Sequence, residues 1–342
     1  MSPYTERLLE SEDRSVAYRA QLRLGEGGDD EEGMRLHRQE IAGSRNVQRL
    51  LSRRLPDGTI RLGNEYHAYR KFQGTHWTLA GLAELGYPPG DRSLLPLVDQ
   101  VHEWLWSPQH LGPPSTAVLA GQEDRVRRCA SQEGLAIWYL HELGLADDRV
   151  DLLASRLVAF QWPDGGWNCD KNPGAQTSSV QETLLPLRGL ARHVRGGTGD
   201  RYVTEAIDRS ADFLLKRRLL WRLRDGAPIL PKWGRDPMRT QWPIRWYDVL
   251  LVLVVMAELG RINDPRCVDA LDVLAGKQLL SGGFPAEEGT ARTVDHVASG
   301  GTFAEWGPTR RARPNPYTTI DATWVLLRSA RFSSLLSPEA RG

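Results

Sequence analysis

Five acidic residues of this sequence have the chemistry and the neighbours of a general acid. They are Glu133, Asp170, Glu182, Asp248 and Asp321. All except Asp170 stand near the start of segments with an apolar, helical pattern, so the first turns of buried helices would position them. A carboxyl beside aromatic side chains at the edge of a cavity can have a raised pKa, which suits proton donation. Asp248 follows Trp246 and Tyr247 directly and precedes an apolar run, so it fits this description best.

Helix capping is the alternative role for the same carboxylates. Ser179-x-x-Glu182 has the spacing of a capping box, and Thr318-x-x-Asp321 nearly does. A carboxylate in the first turn is also favoured by the helix dipole. Asp170 differs, because it enters a loop and no feature of the preceding turn requires an acidic residue there. The sequence leaves capping and catalysis both open.

Three cysteines, Cys129, Cys169 and Cys267, are widely spaced and odd in number, so we expect no disulfide framework. Cys129 and Cys169 fall on the same predicted face as the acids and could bind a metal together with His76 or Asp170. The sequence lacks Cys-x-x-Cys spacing, and inert thiols are the alternative. No cofactor is therefore required, and zinc or magnesium stays open. The segment 147–151 has the Asp-Asp-x-x-Asp spacing of a magnesium motif, for which we favour a helix cap instead.

A repeated helical pattern would position these residues. Three segments, Leu82–Gly86, Leu140–Gly144 and Met256–Gly260, end in Glu-Leu-Gly, where the glycine suits the left-handed position that ends a helix. Leu187–Gly196 and Ala322–Arg331 are two weaker copies. The pattern predicts repeated helical hairpins.

Amphipathic segments alternate with these apolar ones and would form an outer layer. They are Leu94–Trp106, Val150–Gln161, Tyr202–Leu220 and Cys267–Leu279. The run Val249–Met256 is predicted as a buried helix rather than a strand. We therefore predict an all-α fold, an α/α toroid of about five to six hairpins with inner and outer rings. A surface helix over Tyr4–Leu24 and a linker, together residues 1–33, would pack on a single toroid domain of residues 34–342.

Long predicted loops on one face carry most of the tryptophans, which indicates an aromatic-lined cavity at that face. The predicted substrate-binding residues are His76, Trp77, Trp162, Trp167, Trp233, Trp242, Trp246, Tyr247 and Trp306. The expected partner is a small apolar molecule.

Composition excludes other classes of function. With 44 Lys and Arg against 43 Asp and Glu, the chain has no basic excess for nucleic acid. The N-terminus has no apolar signal segment, and no apolar run is long enough to span a bilayer. We expect a cytoplasmic protein without a transmembrane segment. Peripheral membrane contact and the oligomeric state stay open.

The pattern Gln161-x-x-x-Gly165-x-Trp167 resembles the QW motif of squalene and hopene cyclases. Over residues 54–332 the chain resembles the squalene-cyclase and protein-prenyltransferase superfamily of α/α toroids. The stretches GTHW, RRCASQEG and DGGWNCDKNP are similar to those of short bacterial squalene-cyclase-like or prenyltransferase-like proteins. The resemblance implies a toroid and a terpene-cyclase-like or isoprenoid-processing enzyme with acid catalysis.

The sequence departs from both families at their reactive motifs. The chain has no Asp-x-Asp-Asp acid motif, and it has Gln176-Thr177-Ser178-Ser179 and Tyr247-Asp248 where prenyltransferases have zinc ligands. Two other functions therefore stay open. One is a carbohydrate-active toroid that uses two carboxylates, and the other is a non-catalytic scaffold that binds an apolar ligand or a peptide.

Overall fold

The structure is a computed structural model of the protein. It describes residues 2–25, 31–62, 68–112, 118–119, 121–170, 172, 174–230, 235–243 and 246–333. Over these residues the chain is mostly helical with a few short strands, which confirms the predicted all-α class. The chain divides into two compact units. The first comprises Met1–Ser44, Leu215–Arg292 and Glu305–Gly342, and the second Arg45–Leu214 and Thr293–Ala304. The prediction of one domain over residues 34–342 stays a prediction.

The helices are, in chain order, α1 (Pro3–Leu9), α2 (Arg14–Leu24), α3 (Glu31–Ala42), α4 (Arg45–Leu51), α5 (Thr75–Leu85), α6 (Leu95–Leu105), α7 (Pro108–Leu111), α8 (Ala130–Glu142), α9 (Asp148–Ala159), α10 (Val180–Arg195), α11 (Arg201–Leu215), α12 (Val249–Glu258), α13 (Val268–Ala275), α14 (Pro316–Arg328) and α15 (Ala330–Ser333). The strands are β1 (Val118–Leu119), β2 (Gln122–Val126), β3 (Gln241–Trp242), β4 (Glu288–Gly289), β5 (Arg292–Thr293) and β6 (Gly301–Thr302). β1 pairs antiparallel with β2, and β3 pairs parallel with β4. No helix within the described residues is both long and apolar enough to cross a bilayer.

The glycines that were predicted to end helices have the expected backbone conformation. Gly86, Gly144 and Gly260 have φ values of 83°, 61° and 70°. The fourth copy was placed one residue too early. Gly196 has a right-handed φ of −74°, and Gly197 takes the left-handed position with φ 86°. These helix ends were predictable because glycine adopts a positive φ without strain, and this does not depend on tertiary structure.

The N-terminal segment is not the surface helix that we predicted over Tyr4–Leu24. It forms α1 and α2, because the Asp13 carboxylate accepts the N–H groups of Ser15 and Val16 and begins a new helix there. Much of α2 is buried, and α2 packs against α14 within the first unit. The apolar run Val249–Met256 forms the buried α12, as predicted.

Helices α8 and α10 of the second unit approach each other at two glycines. A Cβ on Gly134 would lie 2.3 Å from the Pro186 nitrogen, and one on Gly189 would lie 2.2 Å from the Gly134 carbonyl oxygen. Side chains are excluded at this crossing, so the two backbones are in direct contact. The crossing allows the first turns of the two helices to meet, and the Ser131 N–H of α8 donates to Glu182 of α10 at 2.9 Å.

The turn between α9 and α10 also fixes the start of α10. Gly165 has φ 98°, and the N–H of Trp162 donates to the Gly166 carbonyl at 2.8 Å. The Asp164 carboxylate accepts the N–H of Ser178, two residues before α10, at 2.8 Å. This turn brings the following loop, with Cys169, to the first turn of α10.

Candidate active site

The Glu182 carboxyl group bonds outside its own helix, to the first turn of α8 and to the loop before α10. Glu182 is buried, with only 6% of its surface exposed. One carboxyl oxygen accepts the Ser131 N–H, and the other accepts the Cys169 S–H at 3.4 Å. Ser179 makes no side-chain capping bond, so the predicted capping box is not formed. Burial raises the pKa of Glu182 above its ordinary value of 4.5, and the hydrogen bonds from Ser131 and Cys169 only partly oppose this.

Cys129 and Cys169 lie together at this carboxyl group, whereas the metal site predicted for them with His76 or Asp170 stays a prediction. The Cys169 thiol is hydrogen-bonded to Cys129 and to Glu182, and these contacts together with burial raise its pKa. Both cysteines are partly exposed. Within the described ranges no group of three or more His, Cys, Asp or Glu side chains could hold a metal ion. The arrangement of Glu182 suits proton transfer.

Asp170 lies outside this cluster. It is exposed, and its carboxylate accepts the N–H of Asn172 at 3.0 Å, as in an Asx turn. Its backbone carbonyl accepts a bond from Arg127. The side chain therefore organises the loop and faces water.

An aromatic group adjoins Glu182 in the second unit. Tyr69 stacks on Trp104 with ring centroids 5.2 Å apart and packs on Trp77 at 6.1 Å. Burial raises the pKa of Tyr69 to about 12, with contributions from the charges of Cys129 and Glu182. Sequence reasoning missed Tyr69 and Trp104, since neither lies in a predicted inner helix. Together these residues supply apolar, π-rich surface next to the acid.

His76, a predicted substrate-binding residue, is buried behind this group. Its Nδ1 lies 3.1 Å from the Tyr139 hydroxyl. Its ring meets Trp77 and Trp104 edge-on, with centroids 5.0 and 5.3 Å apart. The histidine supports the aromatic group and is itself fully enclosed.

Glu133, in the first turn of α8, is held by Arg156 and His110. It is fully buried, and its carboxylate lies 3.0 Å from His110 Nε2 and 3.0 Å from Arg156 Nη2. An ion pair stabilises the charged form of a carboxyl. Glu133 thus has the environment of a structural carboxylate.

The two predicted acids of the first unit are also engaged. Asp248 caps α12, with one oxygen 2.7 Å from the Leu251 N–H and the other 2.9 Å from the Gln241 N–H. Burial raises its pKa to about 7 against the opposing effect of these donors. Asp321 is fully buried in α14 and pairs with Arg19 through two bonds of 2.6 and 3.0 Å.

The predicted substrate-binding tryptophans are mostly core residues. Trp162 and Trp167 are buried in the second unit and donate to the carbonyls of Val126 and Leu157, each at 2.9 Å. In the first unit Trp242 stacks on Tyr317 at 5.1 Å. The remaining members are placed as follows: Trp306 is buried beside Tyr317, Trp246 is partly exposed, Tyr247 is buried, and Trp233 lies outside the described residues. Of this set, Trp77 contacts Tyr69, and His76 contacts Trp104.

No family model, curated protein or solved structure matches this chain. Function is therefore inferred from the side chains themselves. Glu182 is distinguished by a buried carboxyl group, neutral donors, an accessible thiol pair and adjoining aromatic rings.

Proposed function

We propose that this chain is a terpene-cyclase-like or isoprenoid-processing enzyme in which Glu182 is the general acid. The fold we propose for it is the α/α toroid implied by the QW-like turn and the repeated hairpins. The observation that supports the acid is electrostatic. Glu182 is buried, and over the described residues its hydrogen-bond donors are neutral, namely the N–H and hydroxyl of Ser131 and the Cys169 S–H, with no cation paired to it. A carboxyl in such surroundings retains its proton at a higher pH than a free one.

The proposed step is protonation of an alkene. The Glu182 O–H bond breaks, the proton forms a C–H bond with one alkene carbon, and the other carbon becomes a carbocation. The remaining carboxylate accepts the Ser131 N–H and the Cys169 S–H, which are already in place. Tyr69, which is close enough for the charge of Glu182 to affect its pKa, stacks on Trp104, and aromatic rings of this kind stabilise a cation. Loss of a proton from the cyclised cation would restore the acid.

The test is product formation from linear isoprenoids of several chain lengths, with and without a diphosphate group, analysed by mass spectrometry. Wild-type protein is expected to give a product, and Glu182→Gln is expected to lose at least about a hundredfold in rate, the usual contribution of a general acid. Asp170→Asn is the matched control, because Asp170 is an exposed turn residue in the adjoining loop. Equal rates for wild type and Glu182→Gln would remove Glu182 from the mechanism.

A non-catalytic scaffold that binds an apolar ligand is the second candidate. It is favoured by the engagement of Glu133, Asp248 and Asp321 in ion pairs or caps. This alternative predicts isoprenoid binding without any product, and equal affinity in wild type and Glu182→Gln.

A further inference from the structure

A cationic pocket lies in the first unit, and none of the five acids discussed above lines it. Its volume is about 400 Å³. It is formed by the turn that follows α11 and by the hairpin that comes next, with one contribution from α13. The lining residues that carry the argument are Lys216, Arg217, Arg218, Trp221, Arg222 and Asp269.

The turn is held in an unusual backbone conformation. Arg218 and Leu219 have φ values of 43° and 65°, which only glycine adopts without strain. Leu219 is fully buried, and the hydroxyl of buried Tyr247 donates to its carbonyl. Core packing therefore maintains the strained turn. This turn fixes the directions in which the Arg217 and Arg218 side chains leave the backbone. Strain of this kind is concentrated at functional sites.

Backbone hydrogen bonds fix the conformation of the hairpin, which covers residues 220–229. The Ile229 N–H donates to the Leu220 carbonyl at 2.9 Å, and the Arg222 N–H donates to the Ala227 carbonyl at 2.8 Å. The Gly226 N–H closes the tip by donating to the Arg222 carbonyl at 2.9 Å. Arg222 is thus presented by a rigid loop rather than by a freely moving one.

The charges of the pocket are strongly unequal. Four cations line it, and Asp269 is the one acidic residue among the lining residues. Asp269 pairs with Arg218 and accepts the Trp221 indole N–H at 2.8 Å. The Nη2 of Arg222 lies 3.1 Å from Asp225, but its buried Nε has no hydrogen-bond partner in the part of the chain that the structure describes. Since the whole chain has a net charge of only +1, this accumulation is local.

We propose that this pocket binds the phosphoryl group of a small phosphorylated ligand. Guanidinium groups form strong, charge-assisted bonds to phosphate oxygens, and Arg217, Arg218 and Arg222 all line the pocket. Trp221 and Leu223, which is 59% exposed, line the same pocket and would contact the organic part of the ligand. The site is independent of the proton transfer proposed for Glu182.

Inorganic diphosphate is the probe for this site, with its dissociation constant measured by calorimetry at two salt concentrations. Arg222→Gln and, separately, Lys216→Gln are expected to weaken binding by about tenfold, the effect of losing one charge-assisted bond. Arg224→Gln is the matched control. Arg224 is 81% exposed, neighbours the same Asp225 and does not line the pocket. Its affinity is expected to equal that of wild type.

Unfolding midpoints of all variants show that each is folded. Higher salt is expected to weaken binding, since the contacts are electrostatic. The proposal is overturned if wild type does not bind diphosphate, or if Arg224→Gln loses as much affinity as Arg222→Gln. Because Glu182 takes no part, Glu182→Gln is expected to bind diphosphate normally even if isoprenoid turnover is absent.

The phosphoryl group could belong to a soluble metabolite or to a lipid headgroup, and co-sedimentation distinguishes the two sources. Phosphatidylcholine vesicles with and without phosphatidic acid are compared for wild type and Arg222→Gln. Pelleting that needs both phosphatidic acid and Arg222 identifies a headgroup. Binding of soluble diphosphate without pelleting identifies a soluble ligand.

Discussion

Asp321 of the first unit and Glu182 of the second unit show two ways of burying a carboxyl group. Each lies early in a buried helix and has almost no exposed surface. Asp321 faces the Arg19 guanidinium through two bonds, whereas Glu182 faces a backbone N–H and a thiol. A cation stabilises the charged form, but neutral donors compensate only part of the desolvation. The first arrangement stabilises an ionised carboxylate, and the second raises the pKa of the carboxyl group, which is the basis of the role we propose for Glu182.

The largest expected effect comes from breaking the Asp321 pair. Asp321→Asn leaves the buried Arg19 charge without its partner, so we expect a loss of about 3–5 kcal/mol in the free energy of unfolding. Denaturant titration measures it. Asp272→Asn is the control, because its pair with Arg331 is about half exposed and contributes at most about 1 kcal/mol. Similar losses in the two variants would contradict the comparison.

Asp248 provides an intermediate case, since it is buried with only neutral N–H donors. Its pKa in the folded state is about 7, against an ordinary value of 3.8. Between these values the folded state binds more protons than the unfolded state, so the free energy of unfolding falls as pH rises. The fall amounts to up to about 4 kcal/mol, and it is complete near pH 7.

Asp248→Asn isolates this contribution, because asparagine does not ionise. We expect the stability advantage of wild type over Asp248→Asn to shrink as pH rises from 4 to 7 in denaturant titrations. The opposite trend, an advantage that grows with pH, would mean that the N–H donors outweigh burial.

Glu133 and Glu182, both in the second unit, allow the same comparison between a buried carboxyl group that faces a cation and one that faces neutral donors. Glu133→Gln removes the partner of Arg156 and His110, so we expect a loss of about 3 kcal/mol. On our proposal Glu182 is protonated, so Glu182→Gln replaces an acid by a neutral group of the same shape and is expected to cost less than about 1 kcal/mol. Both are measured by denaturant titration at neutral pH. A cost at Glu182 as large as that at Glu133 would show that Glu182 is ionised.

The smallest effect concerns the thiol beside Glu182. The bond to Cys129 is the largest cause of the raised Cys169 pKa, so Cys129→Ala is expected to lower that pKa. More thiolate then forms at neutral pH, and alkylation of Cys169 by iodoacetamide is expected to be severalfold faster by mass spectrometry.

Cys267 serves as the internal control for this experiment. It is buried in the first unit with a pKa raised to about 12, so it is expected to react slowly in both proteins. Unchanged alkylation of Cys169 would contradict the contact with Cys129.

Local features of this molecule were predictable from sequence, and long-range partners were not. The helix-ending glycines and the buried α12 follow from residue type and period, which need no knowledge of tertiary structure. Glu182 had the spacing of a local cap, yet its partner Ser131 lies 51 residues away. Arg19 and Asp321 are 302 residues apart, and no local sequence pattern indicates that they pair. Such pairings depend on which helices meet, and here glycine contacts such as Gly134 with Pro186 decide that.

The most direct test of the acid is the titration of Glu182 itself. NMR of isotope-labelled glutamate carboxyl groups follows each signal with pH, and the signal that disappears in Glu182→Gln assigns the residue. Our account predicts a midpoint above the ordinary glutamate value of 4.5. A midpoint at or below 4.5 would show that Glu182 is an ordinary carboxylate and would contradict its role as proton donor.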